Sequence, residues 1–297
     1  MSARPSWIPS LVTPEVPNAI PYLEDFFDPS VAPYYYRSGT TGYGYPFTHQ
    51  TYTGHPAWVV TIIGNPTSSD ARNFGSVGCS GTSYTSTTRA YGVFDVYAGF
   101  SADQGLIVSL SGRGYPWNSA PNSIFGAWAN PLQAVGLWRL AMGGVSSPSI
   151  RGWGWANLGE GIDWLSDPDT ALASTDALIY YHNSHSAYGG AALGDLVVRA
   201  YNKNGTHTSV TLLTSAQIMS GIFYKFEVNI YGNLFNKTCD FYVDRVLKGT
   251  LNVANSTLTT GLCPTFGVIA KQVSATGRFL RLDTYYQELA QENNELR

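Results

Sequence analysis

Residues Phe223 to Thr250 constrain this chain more than any other stretch. Phe223-x-x-Phe226-x-Val228-x-Ile230 is followed by Gly232-Asn233, and then by Cys239-x-Phe241-x-Val243. Apolar residues at every second position put one face of each strand on a core and the other toward water or a second layer. Gly-Asn suits the positive-φ positions of a tight turn, and a second turn is expected near Asp244–Lys248. The pattern predicts an antiparallel meander. It carries no obvious catalytic chemistry.

The rest of the chain repeats that style. Strands are expected over 57–63, 91–100, 105–111, 124–128, 135–142, 149–156, 177–181, 196–201 and 210–213. A last group follows over 222–230, 239–247, 265–270 and 278–287. Gly, Ser, Asn and Pro punctuate them. A dozen short strands with almost no helical periodicity predict an all-β sandwich or barrel. Ser215–Met219 reads as one turn, and the Glu-rich Tyr286–Leu296 is the single helix-like candidate.

The division expected is an extended Pro-rich arm (residues 1–33), a β-sandwich domain (34–287) and a polar C-terminal tail (288–297). The arm carries Pro5, Pro9, Pro14, Pro17, Pro21, Pro29 and Pro33, a density that forbids helix. Its apolar residues Trp7, Ile8, Leu11 and Val12 suit docking, either on a neighbouring subunit or as a strap across the arm's own domain.

Composition narrows the partners. Only 12% of the 297 residues are charged while 14% are aromatic, and 20 of those are Tyr. A surface of hydroxyls, amides and phenols suits neutral partners such as glycans or other protein subunits. The net charge is −3 and no window concentrates Lys and Arg, which argues against nucleic acid. No run reaches the roughly 18 apolar residues of a membrane helix, so no membrane insertion is expected. The N-terminus shows no apolar signal-peptide core. An extracellular style of surface without an export signal fits a virion protein made in the host cytoplasm, and fits equally a secreted chain whose signal was removed.

Cys79, Cys239 and Cys263 form no disulfide framework. A Cys239–Cys263 bridge stays open, with free buried thiols the favoured state.

The order of the last third resembles the concanavalin A-like lectin/glucanase jelly roll, especially its laminin-G-like branch. The residues that carry the likeness are Phe223–Ile230, Asp240–Leu247, Cys263-Pro264-Thr265-Phe266-Gly267-Val268-Ile269 and Phe279-Leu280-Arg281-Leu282-Asp283. Arg245 departs from the pattern, which has Gly after Asp244. The likeness spans residues 85–287 and implies a concanavalin A-like antiparallel sandwich. The enzymes of that superfamily need two carboxylates on one strand face, in an E-x-D-x-x-E string. The nearest string here, Glu24-Asp25-x-x-Asp28, lies in the arm. The Arg, Gln, His and Tyr motifs of polysaccharide lyases are not found.

Several segments remain as candidate sites. Tyr115, Trp117 and Asn118 form one aromatic group, and Trp153, Trp155 and Trp164 another. Each suits sugar stacking, a subunit interface or core packing, and they stand as the glycan-binding candidates. Asp163, Asp167 and Asp169, with Asp176 downstream, offer hard oxygen ligands of the kind Ca²⁺ takes, against solvated turn residues. No other cofactor is expected. His182 and His185 are spaced three apart in an expected surface loop, where a metal would need a third ligand. Asn204, Asn236 and Asn255 begin sequons that read as chance matches.

The leading expectation is therefore a non-enzymatic structural or adhesive protein of a virion surface, a bacteriophage capsid-decoration, tail or fibre component. It would contact other subunits and itself through the arm, and host glycans through its aromatic loops. A free-standing carbohydrate-binding module is the alternative. A glycoside hydrolase or polysaccharide lyase ranks behind both.

Overall fold

The computed structural model describes residues 11–14, 16, 19–24, 59–63, 75–80, 90–98, 101–109, 133–156, 177–185, 194–201, 207–232, 236–254, 263–273 and 278–290. Fifteen strands fill them: β1 Ala19–Glu24, β2 Val59–Ile63, β3 Gly75–Ser80, β4 Ala90–Ala98, β5 Gln104–Ser109, β6 Gln133–Gly143, β7 Ser149–Ala156, β8 Ala177–Asn183, β9 Leu196–Tyr201, β10 His207–Leu213, β11 Phe223–Gly232, β12 Asn236–Val243, β13 Val246–Ala254, β14 Cys263–Ala270 and β15 Arg278–Ala290. A 3-10 turn at Ser215–Gln217 occupies the place where a single turn was expected. No described helix is long and apolar enough to cross a membrane.

Two antiparallel sheets form the sandwich. The first runs β13-β12-β11-β6-β15-β4-β3, with β1 also paired to β15. The second runs β10-β9-β8-β7-β14-β5-β2. The antiparallel β-sandwich expected from the sequence is the fold of the protein.

Alternation builds the core. From β11 come Tyr224, Phe226, Val228 and Ile230; β12 gives Cys239, Phe241 and Val243. They meet Trp153 and Trp155 of β7 and Leu178 and Tyr180 of β8. Phe223 belongs to the opposite face of β11, because two residues separate it from Phe226 rather than one. Its ring lies under the Arg139 guanidinium, 5.2 Å away. Gly136 leaves room for the Trp155 indole: a Cβ there would sit 2.4 Å from the ring. Cys239 is a free, fully buried thiol, so it makes no bridge to Cys263, and burial pushes its pKa up to about 12.

The structure corrects the sequence reading at several points. The expected 239–247 strand is two strands, β12 and β13. They meet at Asp244 (φ 47°) and Arg245 (φ 72°), the double left-handed turn that matches strand twist. Asp244 steadies it by accepting the Lys225 N–H at 2.9 Å. The helix-like Tyr286–Leu296 is strand through Ala290, because β6 and β1 supply ladder partners along 285–290. The sandwich therefore continues into the proposed tail. The proposed arm contributes β1 to the same sheet.

Candidate functional site

The two outer faces of the sandwich differ sharply. On the second sheet, Ile150, Ala156, Ile179, Tyr181, Val197 and Ile269 point away from the core and are nevertheless buried. Arg199 lies 4.9 Å over the Tyr181 ring and donates to the Tyr201 hydroxyl at 3.0 Å. On the first sheet, the outer face carries polar groups in rows.

Register defines those rows. Val135, Asn229, Asp240 and Thr250 are successive cross-strand partners on β6, β11, β12 and β13. Gln133, Tyr231, Thr238 and Asn252 form the adjacent row. Neighbouring strands lie about 4.8 Å apart, so the side chains of a row sit within reach of one another. The Tyr231 hydroxyl donates to Asp240 Oδ2 at 3.0 Å, and Thr250 Oγ1 donates to Asp240 Oδ1 at 2.6 Å. Thr238 Oγ1 donates to Asn252 Oδ1 at 3.1 Å. The hydrogen bond to Asp240 holds the Tyr231 pKa above its ordinary value. Burial, followed by the charges of Asp240 and Glu227, does the same for Tyr242.

At the end of these rows lies an open recess of about 580 Å³, lined by Pro14, Gln133, Asn229, Tyr231, Gly232 and Asp240. Tyr231 is 39% exposed and presents its ring. Asn229 is only 7% exposed, yet among the described residues its Oδ1 has no hydrogen-bond partner. A buried acceptor left unmade costs about 1–3 kcal/mol, so a donor that reached it once the side chain turned toward the recess would relieve that cost.

Pro14 reaches the recess because Leu11 to Pro14, with Val16, run as a strap over the same face. Leu11 packs on Leu137 and Tyr286. Thr13 N–H donates to Glu227 Oε1 at 2.7 Å, and Val16 N–H donates to Glu288 Oε2 at 3.1 Å. The Tyr286 hydroxyl donates to Glu288 Oε1 at 2.6 Å, while Glu227 also faces Lys225 Nζ at 4.0 Å. Both carboxylates are buried. Of the two uses of the arm, the strap across its own domain is what these residues show. Val12 remains exposed. Trp7 and Ile8 lie outside the described residues. Glu288→Ala should leave the Val16 N–H and the Tyr286 hydroxyl without their acceptor, costing about 2 kcal/mol. Limited proteolysis should then cut residues 11–16 well before the body of the domain; an uncut strap would show that Glu288 does not hold it.

The sequence-derived candidates fall elsewhere. Trp153 and Trp155 are 0% exposed, which removes them as sugar platforms. They sit on the inward positions of β7. Trp153 stacks on Tyr180 at 5.5 Å, and Trp155 donates to the Tyr285 hydroxyl at 2.9 Å. Tyr115, Trp117, Asn118 and Trp164 lie outside the described residues, as do Asp163, Asp167, Asp169 and Asp176 of the calcium expectation. Among the described residues no three His, Cys, Asp or Glu side chains gather to hold a metal.

His182 is corrected as well. It belongs to β8, not to a surface loop, and is buried in the sandwich. Arg151 Nη1 approaches its Nδ1 at 3.2 Å, while Arg151 Nη2 donates to the Gly143 carbonyl at 2.6 Å and the Gly144 carbonyl at 2.8 Å. Burial first, then the Arg151 charge, drives the His182 pKa down to about 3, against a hydrogen bond with the Gly194 backbone. Burial and the Arg278 charge lower Arg151 to about 9. The pair closes one end of the sandwich. His185, in the following loop, donates its N–H to Asn183 Oδ1 at 2.7 Å.

No family model and no curated protein sequence matches the chain. Solved structures with a similar fold include an endo-1,3-β-glucanase from Streptomyces sioyaensis, at 13% identity and TM-score 0.49, over 95% of this chain and 100% of that one. An immunostimulatory antigen and pseudo β-1,3-glucanase of Mycobacterium tuberculosis matches at 10% identity and TM-score 0.49, over 92% and 100%. The exoplasmic/lumenal domain of VIP36 in a calcium- and glycan-bound form matches at 8% identity and TM-score 0.45, over 80% and 86%. The likeness is one of fold alone, and no residue role is carried across.

Proposed function

We propose that this chain is a non-enzymatic adhesive domain that contacts glycans through the recess on the outer face of its first sheet. The observation that carries this reading is the buried, unpartnered Oδ1 of Asn229. Asn229 lines a recess that also offers the half-exposed Tyr231 and the Asp240 carboxylate, and a turn of its side chain would bring the acceptor to a ligand. A sugar supplies what such a site lacks: hydroxyl donors for the two acceptors and an apolar ring face for Tyr231. The described lining residues include one carboxylate, whereas glycoside hydrolysis uses two flanking the bond, which supports binding over cleavage.

The setting we propose is the surface of a viral particle, as a capsid-decoration, tail or fibre component, with an extracellular carbohydrate-binding module as the second setting. Low charge and abundant Tyr support an exposed, neutral contact surface. Since Leu11, Thr13, Val16 and β1 dock on their own sheet, attachment to other subunits would fall to residues 1–10, with Trp7 and Ile8. Finding the chain by mass spectrometry in purified particles would support that setting, and its absence from them would remove it.

The binding reading is tested on a glycan array with the native protein and Asn229→Ala. Binding that weakens about tenfold or more in the variant, with the melting temperature kept, is the expected result. Silence across neutral and acidic glycans alike, or equal binding by both proteins, would overturn it.

A further inference from the structure

We propose that the recess selects neutral, hydroxyl-rich glycans over anionic ones, and that Asp240 sets this selection; the inference rests on the glycan reading above. It follows from the inventory of donors and acceptors. Asp240 accepts from Tyr231 and Thr250 at 3.0 and 2.6 Å, yet a carboxylate has about four lone-pair sites, so it retains capacity for ligand hydroxyls. Asn229, its direct cross-strand partner, adds the buried and unpartnered Oδ1.

The donors among the described lining residues are neutral, the side-chain amides of Asn229 and Gln133. The Tyr231 proton is directed to Asp240 rather than to the recess, and the Thr238 proton to Asn252. None of the described lining residues is Lys or Arg. The site is therefore rich in acceptors and carries one negative charge. Neutral hydroxyls are donors and meet it well. A uronate or sulfate brings acceptors and a like charge against the Asp240 carboxylate, a repulsion that lower salt strengthens. Tyr231 and Thr250 hold both oxygens of Asp240, so the carboxylate cannot simply swing away.

The test uses Asp240→Asn, which has nearly the same shape and keeps one acceptor oxygen, on a face of the sheet that leaves the core untouched. Both proteins are titrated with paired probes: neutral hexasaccharides of glucose, galactose, mannose and N-acetylglucosamine, each beside a carboxylated or sulfated counterpart. The native protein should favour the neutral member of a bound pair by at least about tenfold. In Asp240→Asn the gap should shrink to within about threefold, mainly because the anionic member gains. A native protein that binds both members equally, or a variant with an unchanged ratio, overturns the selection while leaving glycan binding intact. Silence of both proteins toward every probe overturns glycan binding and the selection with it.

Discussion

Trp155→Ala should destabilise the protein by about 3–5 kcal/mol, the range of buried Trp truncations, and lower its melting temperature by roughly 10 °C. The indole fills the space left by Gly136 and meets Trp138 edge-on at 5.6 Å. It also donates to Tyr285, whose own hydroxyl donates to Gln287. Removing it leaves a cavity bordered by Trp138 and Tyr285, whose rings lie 4.3 Å apart and cannot both move in without breaking the β6–β15 packing. Against a total stability of about 5–15 kcal/mol, such a loss is a large share. The measurement is a denaturant titration of native and variant proteins. A Trp155→Ala protein that keeps its midpoint but loses glycan binding would return this residue to the surface role that its burial denies.

The second large effect is on acid stability. The His182 pKa is depressed in the folded state, to about 3, against an ordinary 6.5. The unfolded chain therefore takes up the proton first. The stability linked to neutral His182 is fully present above about pH 6.5 and is lost progressively as pH falls toward 3. Each pH unit within that window costs about 1.4 kcal/mol, so the step from 6.5 to 4.5 should remove on the order of 2–3 kcal/mol. The charges facing the imidazole are cationic: Arg151 beside it, and Arg278 beyond Arg151. His182→Gln should flatten this part of the profile by about one proton's worth, read from urea midpoints at the two pH values. Parallel profiles for native and variant proteins would show that His182 is not the sensor.

The faces of the sandwich were legible wherever alternation was strict. Ser149–Ala156 and Leu196–Tyr201 are strands at their expected bounds. The aromatic groups were less legible for a local reason. Trp153-Gly154-Trp155 resembles a loop in composition, but Gly154 is a strand residue at φ 144°, where a Cβ would sit 2.2 Å from the Leu178 carbonyl. Glycine there serves close strand approach, and the flanking indoles turn inward. His182 was misplaced because the two residues after Tyr181 continue β8, which a polar composition does not reveal.

The recess was written in the most legible stretch of the chain and still went unread. Asn229 and Tyr231 are the outward positions of β11, and Asp240 is outward on β12. An alternating strand assigns its polar residues to water by default. What distinguishes these three is cross-strand register, which brings Asn229 opposite Asp240, and coverage by a segment more than 200 residues earlier. Neither follows from local pattern. The polar set Lys225, Glu227, Asn229 and Tyr231 facing Thr238, Asp240 and Tyr242 was the available signal.

The strap has a consequence in time as well as in space. Val16 and Glu288 stand 272 residues apart in sequence, and β1 pairs with the last strand. Contacts of such separation close late, because most of the chain must be in place before they hold anything together. During synthesis the strap emerges before β15 and waits for it. The wall that Pro14 gives the recess is held only once β15 has arrived, so the surface this domain presents depends on a strand made long after the strap.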